Sequence, residues 1–98
     1  MNYGKSIRKF RVEKLDMTQL EFSIKIGISQ TYLSQLENDN KKPSTELLER
    51  IAEFVKVPLP VLLWSCVTEK DVVKKSRLEA FRVLKPVVDE MIESFFKN

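Results

Sequence analysis

Met17-Thr18-Gln19-Leu20-Glu21-Phe22-Ser23-Ile24-Lys25-Ile26-Gly27-Ile28-Ser29-Gln30-Thr31-Tyr32-Leu33-Ser34-Gln35-Leu36-Glu37-Asn38 decides how the chain folds. Thr18 followed by Glu21 has capping-box spacing: the hydroxyl accepts from the third helical N–H and the carboxylate reaches back to the threonine N–H. Phe22 and Ile26, four apart, share one face of that helix. Gly27 ends it, because glycine takes the left-handed conformation at no steric cost. Ser29 caps a second helix, which turns Leu33 and Leu36 inward and leaves Gln30, Thr31, Ser34 and Gln35 outside. A polar, uncharged face of that kind suits reading hydrogen-bonding edges better than it suits catalysis.

The flanks extend this pattern into an all-α domain. Tyr3 to about Lys14 is predicted as helix 1, with Ile7 and Phe10 inside and Lys5, Arg8, Lys9 and Lys14 outside. Asp39 to Pro43 is a polar turn, in which Asp and Asn tolerate positive φ. Pro43-Ser44-Thr45 opens helix 4, whose Leu47, Leu48, Ile51, Ala52 and Val55 form a wide buried stripe. Val57-Pro58 breaks it, and Leu59 to Trp64 form a short fifth helix. The expected division is a domain over 1–66 and a C-terminal helical arm over 67–98.

Composition removes several chemistries. The chain has 98 residues, a net charge of +3, no histidine and one cysteine, Cys66. A protein-only zinc site, a Cys–His nucleophile pair and an internal disulfide are therefore all out of reach. No metal or other cofactor is expected, and Cys66 reads as a small buried apolar residue. Residues 1–50 carry nine basic and seven acidic groups and residues 51–98 eight and seven, so any basic patch must come from placement. The N-terminal residues lack the apolar run of a signal peptide, and no stretch approaches the ~20 apolar residues of a membrane span. The expected location is the cytoplasm. With no glycine-rich phosphate loop and no paired carboxylates on one face, the chain does not read as an enzyme.

Residues 4–64 closely resemble the lambda-repressor-like, Cro/XRE-type helix-turn-helix family. The resemblance rests on Gly4-x-x-Ile7-Arg8-x-Phe10-Arg11, Thr18-Gln19-x-x-Phe22, Gly27-Ile28-Ser29 and Tyr32-Leu33-Ser34-x-x-Glu37-Asn38. It continues through Pro43-Ser44, Leu48-x-x-Ile51-Ala52, Val57 and Leu62-Leu63. It implies a five-helix domain that lays helix 3 in the DNA major groove while helix 2 crosses the backbone. Gln30, Thr31, Ser34 and Gln35 would then read bases, a glutamine amide matching adenine N6 and N7 and a threonine methyl the thymine methyl. Gln19, Ser29, Tyr32, Asn38, Lys41 and Lys42 would hold phosphates, which sets register without reading sequence. Arg11 and Glu37 would form an internal ion pair between helices 1 and 3. The chain departs from the family in four places. Its link between helices 1 and 2 is one residue longer and lacks the common glycine. Asp39 stands where glycine is frequent, Ser23 replaces a small alanine, and Pro58 replaces a serine-type cap.

The arm needs its own explanation. Thr68 and Asp71 have capping-box spacing, and Phe81, Leu84, Val88, Met91 and Phe95 recur at 3,4 spacing, widened by Val87, Ile92 and Phe96. Pro86 either kinks this helix or starts a new one. Eleven apolar side chains lie between Leu78 and Phe96, and leaving about half of them exposed would cost about 10 kcal/mol. The arm therefore either folds back over helices 1, 4 and 5 or pairs with a second copy. The heptad-like stripe favours pairing, with Phe81, Leu84, Val88, Met91, Ile92, Phe95 and Phe96 as the interface.

The function these readings predict is that of a prokaryotic or phage transcription regulator, a homodimer on a palindromic double-stranded DNA operator. Two narrower forms remain open: an autoregulating antitoxin that holds a protein partner through the arm, and a restriction-modification controller protein. The alternative from another class is a protein-interaction module that has lost DNA. Acidic or bulky apolar residues on helix 3 would mark it, and Gln30, Thr31 and Gln35 are neither.

Overall fold

A computed structural model describes residues 1–94. Every regular element among them is helical, and they form two compact units: Asn2–Cys66, and Met1 together with the residues from Val67 onward. The first unit comprises α1 (Tyr3–Lys9) with a π-helical continuation (Phe10–Lys14), α2 (Gln19–Ile26), α3 (Gln30–Glu37), α4 (Thr45–Val55) and α5 (Leu59–Cys66).

Local chemistry starts and stops these helices. The Thr18 hydroxyl accepts from the Glu21 N–H at 3.1 Å while the Glu21 carboxylate accepts from the Thr18 N–H at 3.2 Å. Ser29 and Ser44 cap α3 and α4 by accepting from Tyr32 N–H at 3.0 Å and Leu47 N–H at 3.1 Å. Gly27 closes α2 at φ 75, ψ 37, and the Arg50 guanidinium donates to the last α2 carbonyl, Ile26, at 2.8 Å. Pro58 has no side-chain cap to offer α5, but its carbonyl accepts from Val61 and Leu62. α5 runs two residues beyond the expected Trp64, to Cys66, which is buried.

The inward faces meet in one core of Ile7, Phe10, Phe22, Ile26, Leu33, Leu36, Leu48, Ile51 and Leu62. Phe22 and Phe54 meet in a tilted pair with centroids 5.9 Å apart. Ser23 fits its buried site by donating its hydroxyl to the Leu20 carbonyl at 2.8 Å. The unit closes on itself where Asn2 N–H donates to the Cys66 carbonyl at 2.6 Å and the Ser6 hydroxyl to the Ser65 carbonyl at 3.0 Å.

Helix 1 differs from its expected form. It is α-helical only to Lys9, then widens, with Leu15 N–H reaching back five residues to the Phe10 carbonyl at 3.0 Å. A wide turn of this kind accommodates one extra residue without shifting what precedes it. The longer link is thus absorbed while Phe10 and Arg11 stay buried. Asp16 then turns the chain at φ 50 and Asp39 at φ 60, so aspartates carry the left-handed turns at both positions where the family favours glycine.

In the second unit the Thr68–Asp71 capping box is formed, but it caps a single 3₁₀ turn (Glu69–Asp71) rather than the long helix. The Met1 ammonium meets Asp71 at 2.7 Å, and Arg82 meets Glu69 at 2.7 Å. α6 (Lys75–Glu93) follows and passes through Pro86 without interruption. Leu84 and Met91 are exposed, as are Ala80, Val83 and Val87, whereas Phe81 and Val88 are half-buried and Ile92 is buried. Phe95 and Phe96, also expected in the interface, lie outside the described residues.

Candidate nucleic-acid interface

α3 is eight residues long and presents two unlike faces. At about 100° per residue, Leu33 and Leu36 point one way and Gln30, Thr31, Ser34, Gln35 and Asn38 the other. Leu33 and Leu36 are fully buried; Gln30, Thr31 and Asn38 are exposed, and Ser34 and Gln35 half-exposed. The outward face contains no charged side chain. Asn38 donates its amide to the Ser34 hydroxyl at 3.4 Å, so the C-terminal part of this face is linked within itself.

What holds α3 at this angle is a buried polar cluster at its base. Arg11 donates through Nε to one Glu37 oxygen at 2.7 Å and through Nη2 to the other at 2.8 Å, and through Nη1 to the Met17 carbonyl at 2.9 Å. The side chains of Arg11 and Glu37 are 10% and 3% exposed. The Glu37 hydrogen bond holds the Arg11 guanidinium above its ordinary value, with burial opposing it and the Glu37 charge adding to it. The expected ion pair between helices 1 and 3 is thus present. It also places a cation beside a carboxylate that would otherwise sit uncompensated at the negative end of the α3 dipole.

Gln19, expected on a phosphate, donates Nε2 to Glu37 Oε1 at 3.1 Å. That uses one of its two amide hydrogens and leaves the other, with the amide oxygen, for a further partner. It stands at the first position of α2, where backbone N–H groups are without helical acceptors. Ser29 accepts from Tyr32 N–H and keeps its own hydroxyl proton free to donate elsewhere. Tyr32 is half-buried on the flank of α3, and Lys41 and Lys42 are exposed in the turn that follows it. The structure therefore gathers the sequence-predicted residues around one helix, with five on its outward face, Ser29, Tyr32, Lys41 and Lys42 around its ends and flank, and Gln19 joined to it through Glu37.

One exposed base outside the sequence-predicted set shares a helix face with residues that meet α3. Gly4 is in close approach to the Leu36 and Glu37 carbonyls and to Asp39, and Arg11 meets Glu37. Arg8 lies between them on the same α1 face, at i+4 and i−3, and is exposed. Arg8 thus stands on the face of α1 that packs against α3 at Gly4 and Arg11. The spacing from Gly4 to Arg11 carries that information, but only once both ends are known to abut α3.

Two helices around a glycine turn, the second capped, buried on one side and polar on the other, define a helix-turn-helix protein. The chain matches the helix-turn-helix family over residues 7–62 and belongs to it, in its Cro/XRE-type form, a family of DNA-binding regulators. It is 32% identical over 62 residues to Control protein C.MunI of Mycoplasma sp, covering 63% of this chain and 84% of that one. It is 42% identical over 59 residues to the ImmF control region 10 kDa protein of Bacillus phage phi105, covering 60% and 64%. It is 44% identical over 50 residues to Antitoxin PezA of Streptococcus pneumoniae serotype 4, covering 51% and 31%. The chain thus spans less than two thirds of the phage protein and less than one third of the antitoxin. No solved structure gives a significant match. No helix among the described residues is long and apolar enough to cross a membrane.

Proposed function

We propose that the protein is a transcription regulator that binds a palindromic double-stranded DNA operator as a homodimer, with α3 in the major groove. The observation that carries the proposal is the uncharged outward face of a helix whose base is fixed by Arg11, Glu37 and Gln19. Gln30, Thr31, Ser34 and Gln35 read base edges, at about 1–3 kcal/mol of discrimination for each good contact. Gln19, Ser29, Tyr32, Asn38, Lys41 and Lys42 hold phosphates, and Arg8 joins them. The fixed base supports this reading because a helix that must present amides to base edges within hydrogen-bonding tolerance cannot rock.

Among narrower forms, the controller protein has the relative called a control protein in its favour, 84% of which the chain covers. The match to the antitoxin covers 31% of that protein and lends no support to a toxin partner.

Selection of bound duplexes from a random pool at physiological salt tests the proposal. The expected result is an enriched inverted repeat with half-site centres about ten base pairs apart. On that site Gln30→Ala or Gln35→Ala relaxes preference at one position per half-site. Lys42→Ala instead weakens all sequences alike and lowers the salt slope by about one unit. Binding without enrichment, or equal losses on operator and random DNA from the glutamine variants, refutes base reading by α3.

A further inference from the structure

Residues 70–77 hold Lys70, Lys74, Lys75 and Arg77 against a single acid, Asp71. All four bases are exposed, and among the described residues none of them makes an ion pair. The nearest acids on the N-terminal side are already engaged, Asp71 with the Met1 ammonium at 2.7 Å and Glu69 with Arg82 at 2.7 Å. The segment therefore shows solvent four cations whose charge nothing within it answers.

Their placement brings them to one end of a helix. Lys70 stands in the 3₁₀ turn, Lys74 at the N-cap of α6, and Lys75 and Arg77 in its first turn, which has no acidic residue. Helical Cβ atoms tilt toward the N-terminus, so Lys75 and Arg77 lean toward the end that Lys74 occupies, although they leave the helix on different sides. Beyond Pro86 the sign reverses: residues 86–93 contain Asp89, Glu90 and Glu93 and no base. A helix that is merely solvated gains from mixing its signs, through pairs three or four residues apart. This one separates them end from end, and an extended polyanion draws in the first end and turns away the second.

Duplex DNA is the polyanion that this arrangement fits. It carries one charge per about 1.7 Å of its axis, and eight residues span at most about 28 Å even when fully extended. Over that length a duplex offers about sixteen phosphates, so four long side chains can each reach one without a shaped pocket and without sharing one helix face. We propose that residues 70–77 are a second, sequence-independent DNA-contacting element, in which Lys70, Lys74, Lys75 and Arg77 each neutralise a duplex phosphate. This inference rests on the DNA-binding reading above and adds affinity to it without specificity, because phosphate contacts carry no sequence information.

The test is the salt dependence of binding, on the selected operator and on random duplex, between about 50 and 200 mM salt. Lys70→Gln, Lys74→Gln, Lys75→Gln and Arg77→Gln are combined in one variant. The expected result is a slope of log affinity against log salt lower by about 3–4 for each bound chain, since each neutralised phosphate contributes about 0.9. The loss should be the same on both duplexes, and the variant should select the same operator sequence as the wild type. A second variant, combining Lys70→Arg, Lys74→Arg, Lys75→Arg and Arg77→Lys, keeps the charge and should keep the wild-type slope. A slope change below about one unit in the glutamine variant overturns the proposal and leaves α3 reading bases. Equal losses in the charge-preserving variant overturn it too, because the segment would then act through the fold and not through charge, and a changed selected sequence does the same. A wild type that binds no duplex removes both this element and the DNA-binding reading.

Discussion

Replacing Glu37 with alanine tests the buried cluster under α3. The substitution leaves the Arg11 guanidinium, 10% exposed, without the acceptors of its 2.7 and 2.8 Å hydrogen bonds, and leaves Gln19 Nε2 without its 3.1 Å acceptor. Only the Met17 carbonyl, at 2.9 Å, remains to Arg11. Removing one partner of a buried pair costs about 3–5 kcal/mol, most of it from the charge left behind. Against a total of about 5–15 kcal/mol for a small domain, that is a large fraction. At about 4–8 °C per kcal/mol, the melting temperature should fall by roughly 20 °C. The companion variant Arg11→Met with Glu37→Leu removes both charges and keeps the volume. It should recover most of the loss, since a well-packed apolar pair is often neutral or better. The assay is calorimetric unfolding of the wild type, the single variant and the double variant. A Glu37→Ala cost below about 1 kcal/mol would refute the reasoning, because it would mean that the pair is solvated like an exposed one.

Three further outcomes are expected. Gly4→Ala places a methyl 2.6 Å from Asp39 Oδ1 and 2.9 Å from the Glu37 carbonyl, and closer still to the Leu36 carbonyl. Two of these are backbone atoms that cannot step aside, so a loss of about 3 kcal/mol should appear in urea unfolding, and an unchanged midpoint would show that α1 slides freely on α3. Lys56, at φ 62 and ψ 41 past the end of α4, should gain about 1 kcal/mol on replacement by glycine, raising the melting temperature by about 4–8 °C; a lower melting temperature counts against the strain argument. Glu69 lies below its ordinary carboxylate value through Arg82, and Asp71 through the N-terminal ammonium and the Thr68 N–H. Carboxylates depressed in the folded state stabilise it fully above the usual range and lose that contribution as pH falls through their folded values. The Thr68 amide proton, bound to Asp71 at 2.8 Å, should therefore hold its chemical shift from pH 7 to about 5 and move below about 4; a shift constant down to pH 2 would contradict the capping box.

The legible parts of this protein are those made by neighbours in sequence. Thr18, Ser29 and Ser44 accept from N–H groups three residues on, and Gly27 closes α2 by its own conformational freedom. The Leu33–Leu36 spacing separates the buried side of α3 from the polar one. The outward face of α3 was legible to the same extent, since the outward residues of a capped helix follow from its period. The winding of helix 1 was not. Residues 3–14 read as one regular helix, because nothing local distinguishes a π turn from an α turn until Leu15 selects the Phe10 carbonyl.

Sequence by itself determined the helices, their caps, the two faces of α3 and the family to which the chain belongs. Each follows from interactions that reach at most about four residues along the chain, or from a pattern of them in order. Tertiary structure decided what those helices meet. It turned Gln19 onto Glu37 and gave Gly4 its necessity through the Leu36 and Glu37 carbonyls. It also divided the apolar residues of α6 into a covered side with Ile92 and an open one with Leu84, Val87 and Met91. Periodicity states that a stripe exists and leaves open which part of it faces water.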